Sequence, residues 1–303
     1  MGHDRKRWLG ALRLLTTVAI LVAVVAFLDT RAILDSLRNV QPVWLLAALA
    51  AALPHYGFSA LRWRYMTRRF GGDLSLKRAI PEYFLAVFLN QTLPGGVPGD
   101  LVRAWRDKNN GNGLGAAARG VLFERASGQI TLVLVAVAGV FTLPGPVRDA
   151  IPLWGFALVL LGMAAAVTVF MLMLRHLGTG YKAGRILHFL RDGRTVLFAP
   201  RHFAVHVLYS LPVVASFLGT FYLAGRALGI TLDPVLAVSA VPLVLLSMTV
   251  PLTIGGWGVR EGTAAALWSL VGLPPHQGVA ISVVYGAVML LSSVPGAFVL
   301  LKR

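Results

Sequence analysis

Apolar positions in this chain neither alternate nor recur on one helical face. They run together in long stretches almost free of charge. Leu14–Leu28, Val43–Ala60 and Ile151–Leu174 approach or reach the roughly 20 residues that an α-helix needs to cross a hydrocarbon core about 30 Å thick. On this pattern 10–28, 43–61, 121–142, 151–174, 203–225 and 279–301 read as six full crossings. Two further apolar stretches behave differently. The first, 79–94, is short and runs into Leu93-Pro94-Gly95-Gly96-Val97-Pro98-Gly99, and the second, 235–252, runs into Pro251-Leu252-Thr253-Ile254-Gly255-Gly256-Trp257-Gly258. Both end in helix breakers instead of a charged loop.

Proline removes a backbone donor and glycine loosens the chain, so each stretch should unwind there. Inside a membrane the freed polar groups must then meet protein or water. Re-entrant hairpins meet that condition, with 79–94 descending and 100–119 returning on one side, and 235–252 descending and 259–272 returning on the other. The expected fold is therefore all-α: a polytopic helical membrane protein of about six crossings plus two re-entrant helical hairpins, in a single membrane domain, 1–303. The two Gly-Gly pairs lie just over half a chain apart, which suggests an inverted repeat with halves 1–150 and 151–303.

Composition agrees, with 57% hydrophobic and 13% charged residues against about 25% charged in an ordinary globular domain. The formal charge of +16 would suggest nucleic acid in a soluble protein. Here no soluble basic domain exists, and most of the 28 Lys and Arg residues fall on one side of the proposed topology. Groups such as Arg5–Arg13, Arg62–Arg78, Arg103–Arg119 and Arg175–Arg201 all lie cytoplasmic, as the positive-inside rule expects, with both termini cytoplasmic. If 79–94 crossed fully, the group from Arg103 to Arg119 would lie outside. Tyr181–Arg201 reads as a basic surface resting on anionic lipid. Arg5-Lys6-Arg7 precedes an apolar run without a cleavage site, so it reads as the start of a retained first helix.

Three clusters carry candidate chemistry. In the first, Asn90, Gln91, Gly95, Gly96, Asp100 and Arg103 combine a glycine turn that admits close backbone approach with a restarting helix and an arginine suited to phosphate. The bland alternative is that the glycines only turn the chain and Asp100 caps the next helix. In the second, Glu124 and Arg125 sit inside a crossing, where charges face the bundle interior and find partners. Glu124 is expected to pair with Arg103 or Arg119, or to meet a cationic head group. The third comprises Gly255, Gly256, Trp257, Arg260 and Glu261. Arg260 and Glu261 point about 100° apart on a helix and so are expected to have separate partners, while Trp257 stacks on a ligand or anchors at the interface.

Other chemistry is unsupported. No cysteine is present, which removes disulfides, thiolate catalysis and Cys-ligated zinc. His202 and His206 share a helix face but lack an acidic third ligand, so interfacial packing is preferred to metal. Phosphate-loop, nucleophile-elbow and His-Glu-x-x-His patterns are missing, and neither a metal nor a cofactor is expected.

The run Phe88-Leu89-Asn90-Gln91-Thr92-Leu93-Pro94-Gly95-Gly96 with Gly99-Asp100 and Arg103, then Glu124-Arg125 with Gly128, then Pro251 and Gly255-Gly256-Trp257-Gly258-Val259-Arg260-Glu261-Gly262, resembles the lysylphosphatidylglycerol synthase transmembrane-region family, also called flippase-like. That resemblance spans nearly the whole chain. It implies a bacterial or archaeal plasma-membrane protein, and for this chain a multi-pass protein of the bacterial inner membrane. In the multiple peptide resistance factors such a domain translocates aminoacylated phosphatidylglycerol while a separate soluble domain attaches the amino acid. Because the sequence ends at Lys302-Arg303, only the flippase-type half is expected to carry over. The expected function is translocation or binding of an amphipathic lipid, with an anionic or aminoacylated head group between the two hairpins and Arg103 and Arg260 on its phosphate. The alternatives are a lipid-modifying transferase using Asp100 or Glu124 as base, related to glycosyltransferases though no Asp-x-Asp motif is present, and a non-transporting partner of a separately encoded lipid-modifying enzyme.

Overall fold

The structure is a computed structural model that describes residues 35, 37–38, 40–93, 96–109, 113–143, 148–149, 192–249, 253 and 255–301. The expected crossings 10–28 and 151–174 lie outside these residues, as does most of the basic stretch from Tyr181. The described elements are helical: α1 Pro42–Ala52, α2 Pro54–Arg69, α3 Leu76–Thr92, α4 Pro98–Asn109, α5 Leu114–Thr142, α6 Pro200–Ala227, α7 Pro234–Ser247, α8 Val259–Leu270, α9 Pro275–Ser293 and α10 Pro295–Leu301. Residues 192–198 form a further short helical segment.

Four stretches are long and apolar enough to cross a membrane: Pro42–Arg69, Leu114–Thr142, Pro200–Ala227 and Pro275–Leu300. They contain the expected crossings 43–61, 121–142 and 203–225, and all of 279–301 except its last residue. Proline sets several starts, standing at the first turn of α1, α2, α6, α7 and α9, where a missing N–H costs nothing. At α7 the Asp233 carboxylate adds a cap, accepting from Val235 N at 2.6 Å and Leu236 N at 3.3 Å.

Each breaker-rich stretch ends a short helix and starts another: α3 turns into α4, and α7 into α8. One boundary differs from expectation. The segment 100–119 is not one returning helix, because α4 stops at Asn109 and residues 114–119 already belong to α5. The reason lies in Asn109-Asn110-Gly111-Asn112-Gly113, five residues that favour turns over helix.

The same succession occurs twice. A 28-residue stretch (Pro42–Arg69, then Pro200–Ala227) leads into a pair of short helices and then a second long helix. Leu53-Pro54 and Leu211-Pro212, Gly71 and Gly229, and Gly128 and Gly286 fall at one constant interval in the numbering. Gly71 and Gly229 both end their helices with positive φ, 82° and 72°. Contacts follow the same exchange: α4 packs on α5 as α8 does on α9, and α5 reaches across to α7 as α9 and α10 do to α3.

Glycine sets the closeness of these contacts, as expected where helices associate without a hydrophobic drive between them. On α5 a Cβ at Gly139 would lie 2.9 Å from the Ser239 backbone of α7, and one at Gly120 would lie 2.8 Å from Thr67 Oγ1 of α2. The larger apolar core joins α1, α5, α6, α7, α8 and α9 around Phe221, Trp268 and Tyr285, and a smaller one around Trp63 and Ala104 joins α2 through α5. Large apolar side chains such as Val43, Phe141, Leu208 and Phe298 point outward instead. That outer surface is suited to lipid.

A Cβ at Gly99 would collide with the Ala86 carbonyl, so Gly99→Ala should prevent α4 from closing on α3 and abolish the monodisperse species in size-exclusion chromatography. Gly57→Ala, where a Cβ meets nothing within 4 Å, should leave it intact.

Candidate functional site: an ion-paired cavity between the two helix pairs

Glu124 joins the first two sequence clusters into one ion-paired cluster. It lies fully buried on α5, where its Oε1 accepts from Arg62 Nε of α2 at 3.0 Å and its Oε2 accepts from Arg103 Nη2 of α4 at 2.8 Å. The Tyr83 hydroxyl of α3 donates to the same carboxylate at 3.3 Å. Arg103 also reaches Asp100 Oδ1 at 2.8 Å, and Arg125 Nη2 reaches Asp100 Oδ2 at 2.6 Å. Arg62 continues the network by donating to Ser210 Oγ of α6 at 2.8 Å. The Arg103 guanidinium lies 4.7 Å from the ring centres of both Trp63 and Tyr83.

The local sequence supports this arrangement. Arg62 can lie against α5 because Gly128 has no side chain, and a Cβ there would stand 2.8 Å from Nη2. Asn90 at the end of α3 holds the start of α4, its Oδ1 accepting from Gly99 N at 2.8 Å and its Nδ2 donating to Asp100 Oδ2 at 3.3 Å. Capping therefore falls to Asn90, and the Asp100 carboxylate serves ion pairing.

Two expectations are narrowed and one is corrected. Arg62, grouped with the cytoplasmic basic residues, is buried and paired, as is Arg103. A guanidinium stays charged when buried, so within a membrane-length helix it needs a carboxylate to offset its desolvation. Of the two arginines expected for Glu124, Arg103 is the partner, and Arg119 pairs with Asp192 at 2.7 Å. Arg260 and Glu261 do not take separate partners, for Arg260 Nη2 lies 2.6 Å from Glu261 Oε1. The long guanidinium arm spans the angle between neighbouring positions.

Arg260, Glu261 and Ser282 are also fully buried. Glu261 accepts from the Gly258 N–H at 2.6 Å and from Ser282 Oγ at 3.0 Å, while Arg260 Nε donates to Ser282 Oγ at 2.8 Å. Trp257 is partly buried, with the Arg260 guanidinium 4.8 Å from its ring centre. Gly286 gives Arg260 its space on α9, as Gly128 gives Arg62 space on α5. Gly255, Gly256 and Gly258 all have positive φ, between 58° and 87°, which turns the chain tightly ahead of α8.

The two turns meet. A Cβ at Gly255 would lie 2.9 Å from Gln91 Oε1, so the missing side chain lets one tip touch the other. Between them lies a cavity of about 340 Å³, within the range of small-molecule sites. Of the sequence-predicted residues, Asn90, Gln91, Gly96, Asp100, Glu124, Arg125, Gly255 and Gly256 line it. Arg103, Trp257, Arg260 and Glu261 are not among its lining residues, and Gly95 lies outside the described residues. The sequence reading missed Arg62, Tyr83, Gln129, Thr249, Thr253 and Tyr285, which also line the cavity. Arg62 had a legible signal: His55, Ser59, Arg62 and Met66 form one helical stripe, and all four are buried. The histidines 202 and 206 stand elsewhere, meeting the Tyr65 hydroxyl at 2.6 Å and the Val196 carbonyl at 3.0 Å.

Long apolar helices, an outward apolar surface and a buried ionic cavity define a multi-pass helical membrane protein. The chain belongs to the family described as the lysylphosphatidylglycerol synthase TM region, which it matches over residues 11–296. This is a flippase-like, lipid-associated family of membrane proteins. A curated relative, "UPF0104 membrane protein" of Methanothermobacter thermautotrophicus, is 25% identical over 309 residues, covering 91% of this chain and 89% of the relative. No solved structure matches the chain.

Leaving a buried charge without its partner costs about 3–5 kcal/mol. Glu124→Ala should lower stability by about that amount in denaturant unfolding from detergent micelles. Replacing Arg62, Arg103 and Glu124 together by Met, Leu and Met should recover most of the loss.

Proposed function

We propose that this protein binds the polar head of an amphipathic lipid in the cavity between the two helix pairs and passes it between leaflets. The carrying observation is that both glycine turns line one cavity whose wall combines ionised groups with apolar ones. Arg62, Asn90, Asp100 and Arg125 lie at one part of that wall, and Val87, Leu132, Phe217, Leu245 and Met289 supply apolar surface. An amphipathic molecule presents the same division.

In this reading α3–α4 and α7–α8 are re-entrant hairpins entering from opposite faces, and the two halves form an inverted repeat. Its support is the repeated succession of helices, the constant interval between matched prolines and glycines, and the exchanged contacts. Broken helices then meet where the cavity lies. Arg125 is the head-group contact favoured by position, because its side chain is 42% exposed and lines the cavity. Arg103 and Arg260 act behind the wall, holding Glu124 and Glu261.

The transferase reading is less well supported. Asp100 and Glu124 each accept from arginine at 2.8 Å or less, which holds them as ionised acceptors and leaves neither carboxylate unpaired to serve as base.

Reconstituted protein should accelerate leaflet exchange of a fluorescent phospholipid in liposomes without altering it chemically. Arg125→Ala should slow that exchange at least about tenfold, as expected for losing a charge-assisted hydrogen bond of roughly 1.5–3 kcal/mol. A chemically changed lipid would select the transferase reading, and no exchange by folded wild-type protein would remove translocation.

A further inference from the structure

The Leu53-Pro54 break between α1 and α2 frees a backbone carbonyl. Tyr56 N turns to Leu53 O at 3.1 Å, so the Ala52 oxygen is left for a side chain. His55 takes it, with Nδ1 2.6 Å from Ala52 O. A carbonyl only accepts, so Nδ1 carries the hydrogen and Nε2 keeps the lone pair of the neutral ring. His55 is 2% exposed and lines the cavity. Its Nε2 has no hydrogen-bond partner among the described residues, yet it is not sealed in, unlike the unpartnered Nδ1 of His206. A basic lone pair therefore opens on the cavity.

The groups around this ring come from several helices. On α2 itself they are Tyr56 and, two turns along, Arg62. To the same wall α3 brings Tyr83, α4 Asp100, α5 Glu124 and Arg125, and α9 Tyr285. Among the described residues α6 brings Ser210 and Phe217 but no charge, and Arg103, Arg106 and Asp107 of α4 do not line the cavity. Both carboxylates of the wall are held by arginines, Glu124 by Arg62 and Arg103, Asp100 by Arg103 and Arg125. A proton entering the cavity thus finds an unengaged base at Nε2. The imidazolium it forms stands in a wall that includes Arg62 and Arg125, and an anion set against those arginines supplies the negative charge that offsets it. Proton and anion each strengthen the binding of the other, since linkage is mutual. The rings of Tyr56 and Phe217, centred 3.8 and 5.1 Å from that of His55, give the imidazolium further partners.

Resting on the lipid-translocation reading, we infer that His55 takes up a proton when an anion binds in the cavity, and that transport is an electroneutral symport of the two. The Nε2 lone pair forms an N–H bond with a proton drawn from water at the open face. That bond breaks where the anion leaves, and Nε2 recovers its lone pair. One positive and one negative charge cross together, so loading adds no net charge to the membrane interior. A proton gradient then supplies the driving force.

The test uses the full-length chain and phosphatidylglycerol, whose phosphodiester does not itself titrate near neutral pH. Calorimetric titration of the protein in nanodiscs with a short-chain form, repeated in buffers of different ionisation enthalpy, should show uptake of about one proton per lipid bound. His55→Asn keeps an amide donor for Ala52 O but has no titrating nitrogen, and should remove that uptake. In proteoliposomes a gradient of about one pH unit should concentrate acyl-labelled phosphatidylglycerol about tenfold in the leaflet on the alkaline side. A potassium diffusion potential imposed with valinomycin should drive no such asymmetry. Binding without proton uptake, uptake that persists in His55→Asn shown to be folded by thermal denaturation, or an even leaflet distribution under the pH gradient would each overturn the inference while leaving lipid binding intact. Equal uptake with soluble glycerophosphoglycerol would assign the site to a free phosphodiester and overturn lipid symport. Folded protein that neither binds nor exchanges lipid would reject the translocation reading beneath it.

Discussion

Inside a bilayer an ionised side chain has no water to replace a lost partner, and α2 through α5 are arranged around one such group. The Glu124 carboxylate receives Arg62 from α2, Arg103 from α4 and the Tyr83 hydroxyl from α3. Four helices therefore converge on a single acceptor. Moving any one of them breaks a buried contact worth far more than a surface ion pair. The cavity takes its shape from this convergence, since Arg62, Tyr83 and Glu124 form part of its wall.

Glycine makes the convergence possible. Helices pressed together by lipid have no dry core to gain, so close backbone approach and polar pairing must supply the affinity. Gly128 and Gly286 do more than permit approach: each opens a groove on its helix into which a guanidinium is laid. Arg260 on α8 uses the same device, but its charge is balanced locally by Glu261. Both helix pairs line the cavity, but of the two buried ionic clusters only the one around Glu124 reaches its wall.

This asymmetry connects the fold to lipid handling. Apolar side chains cover the outside and ionised ones the inside, the reverse of the usual soluble pattern. The glycine turns bring the ends of four short helices to one place, where Gly255 and Gln91 touch. Membership of a flippase-like family fits such a cavity, and the proposed lipid occupies both its ionic and its apolar surfaces.

The crossings among the described residues were legible from sequence because about 20 apolar residues in succession have few other uses. Likewise the two breaks were visible in their prolines and glycines, and Glu124 stood out as a carboxylate within an apolar helix. The pairing was legible only in part: Arg103 was one of the partners expected for Glu124, and it meets that carboxylate. Arg62 looked like a cytoplasmic charge because it follows an apolar run, yet α2 continues through Arg69 and turns that residue inward. Arg260 and Glu261 looked divergent because helix geometry gives the direction of Cβ and not the reach of a four-bond side chain. Sequence by itself determined that this is a helical membrane protein with two interrupted segments and charges that need partners, since apolar length and backbone-breaking residues are local properties. Tertiary structure decided which charge meets which, that both turns share one cavity, and that Arg62 borders it while Arg103 does not. Those outcomes depend on contacts between helices far apart in the chain, and no local pattern encodes them.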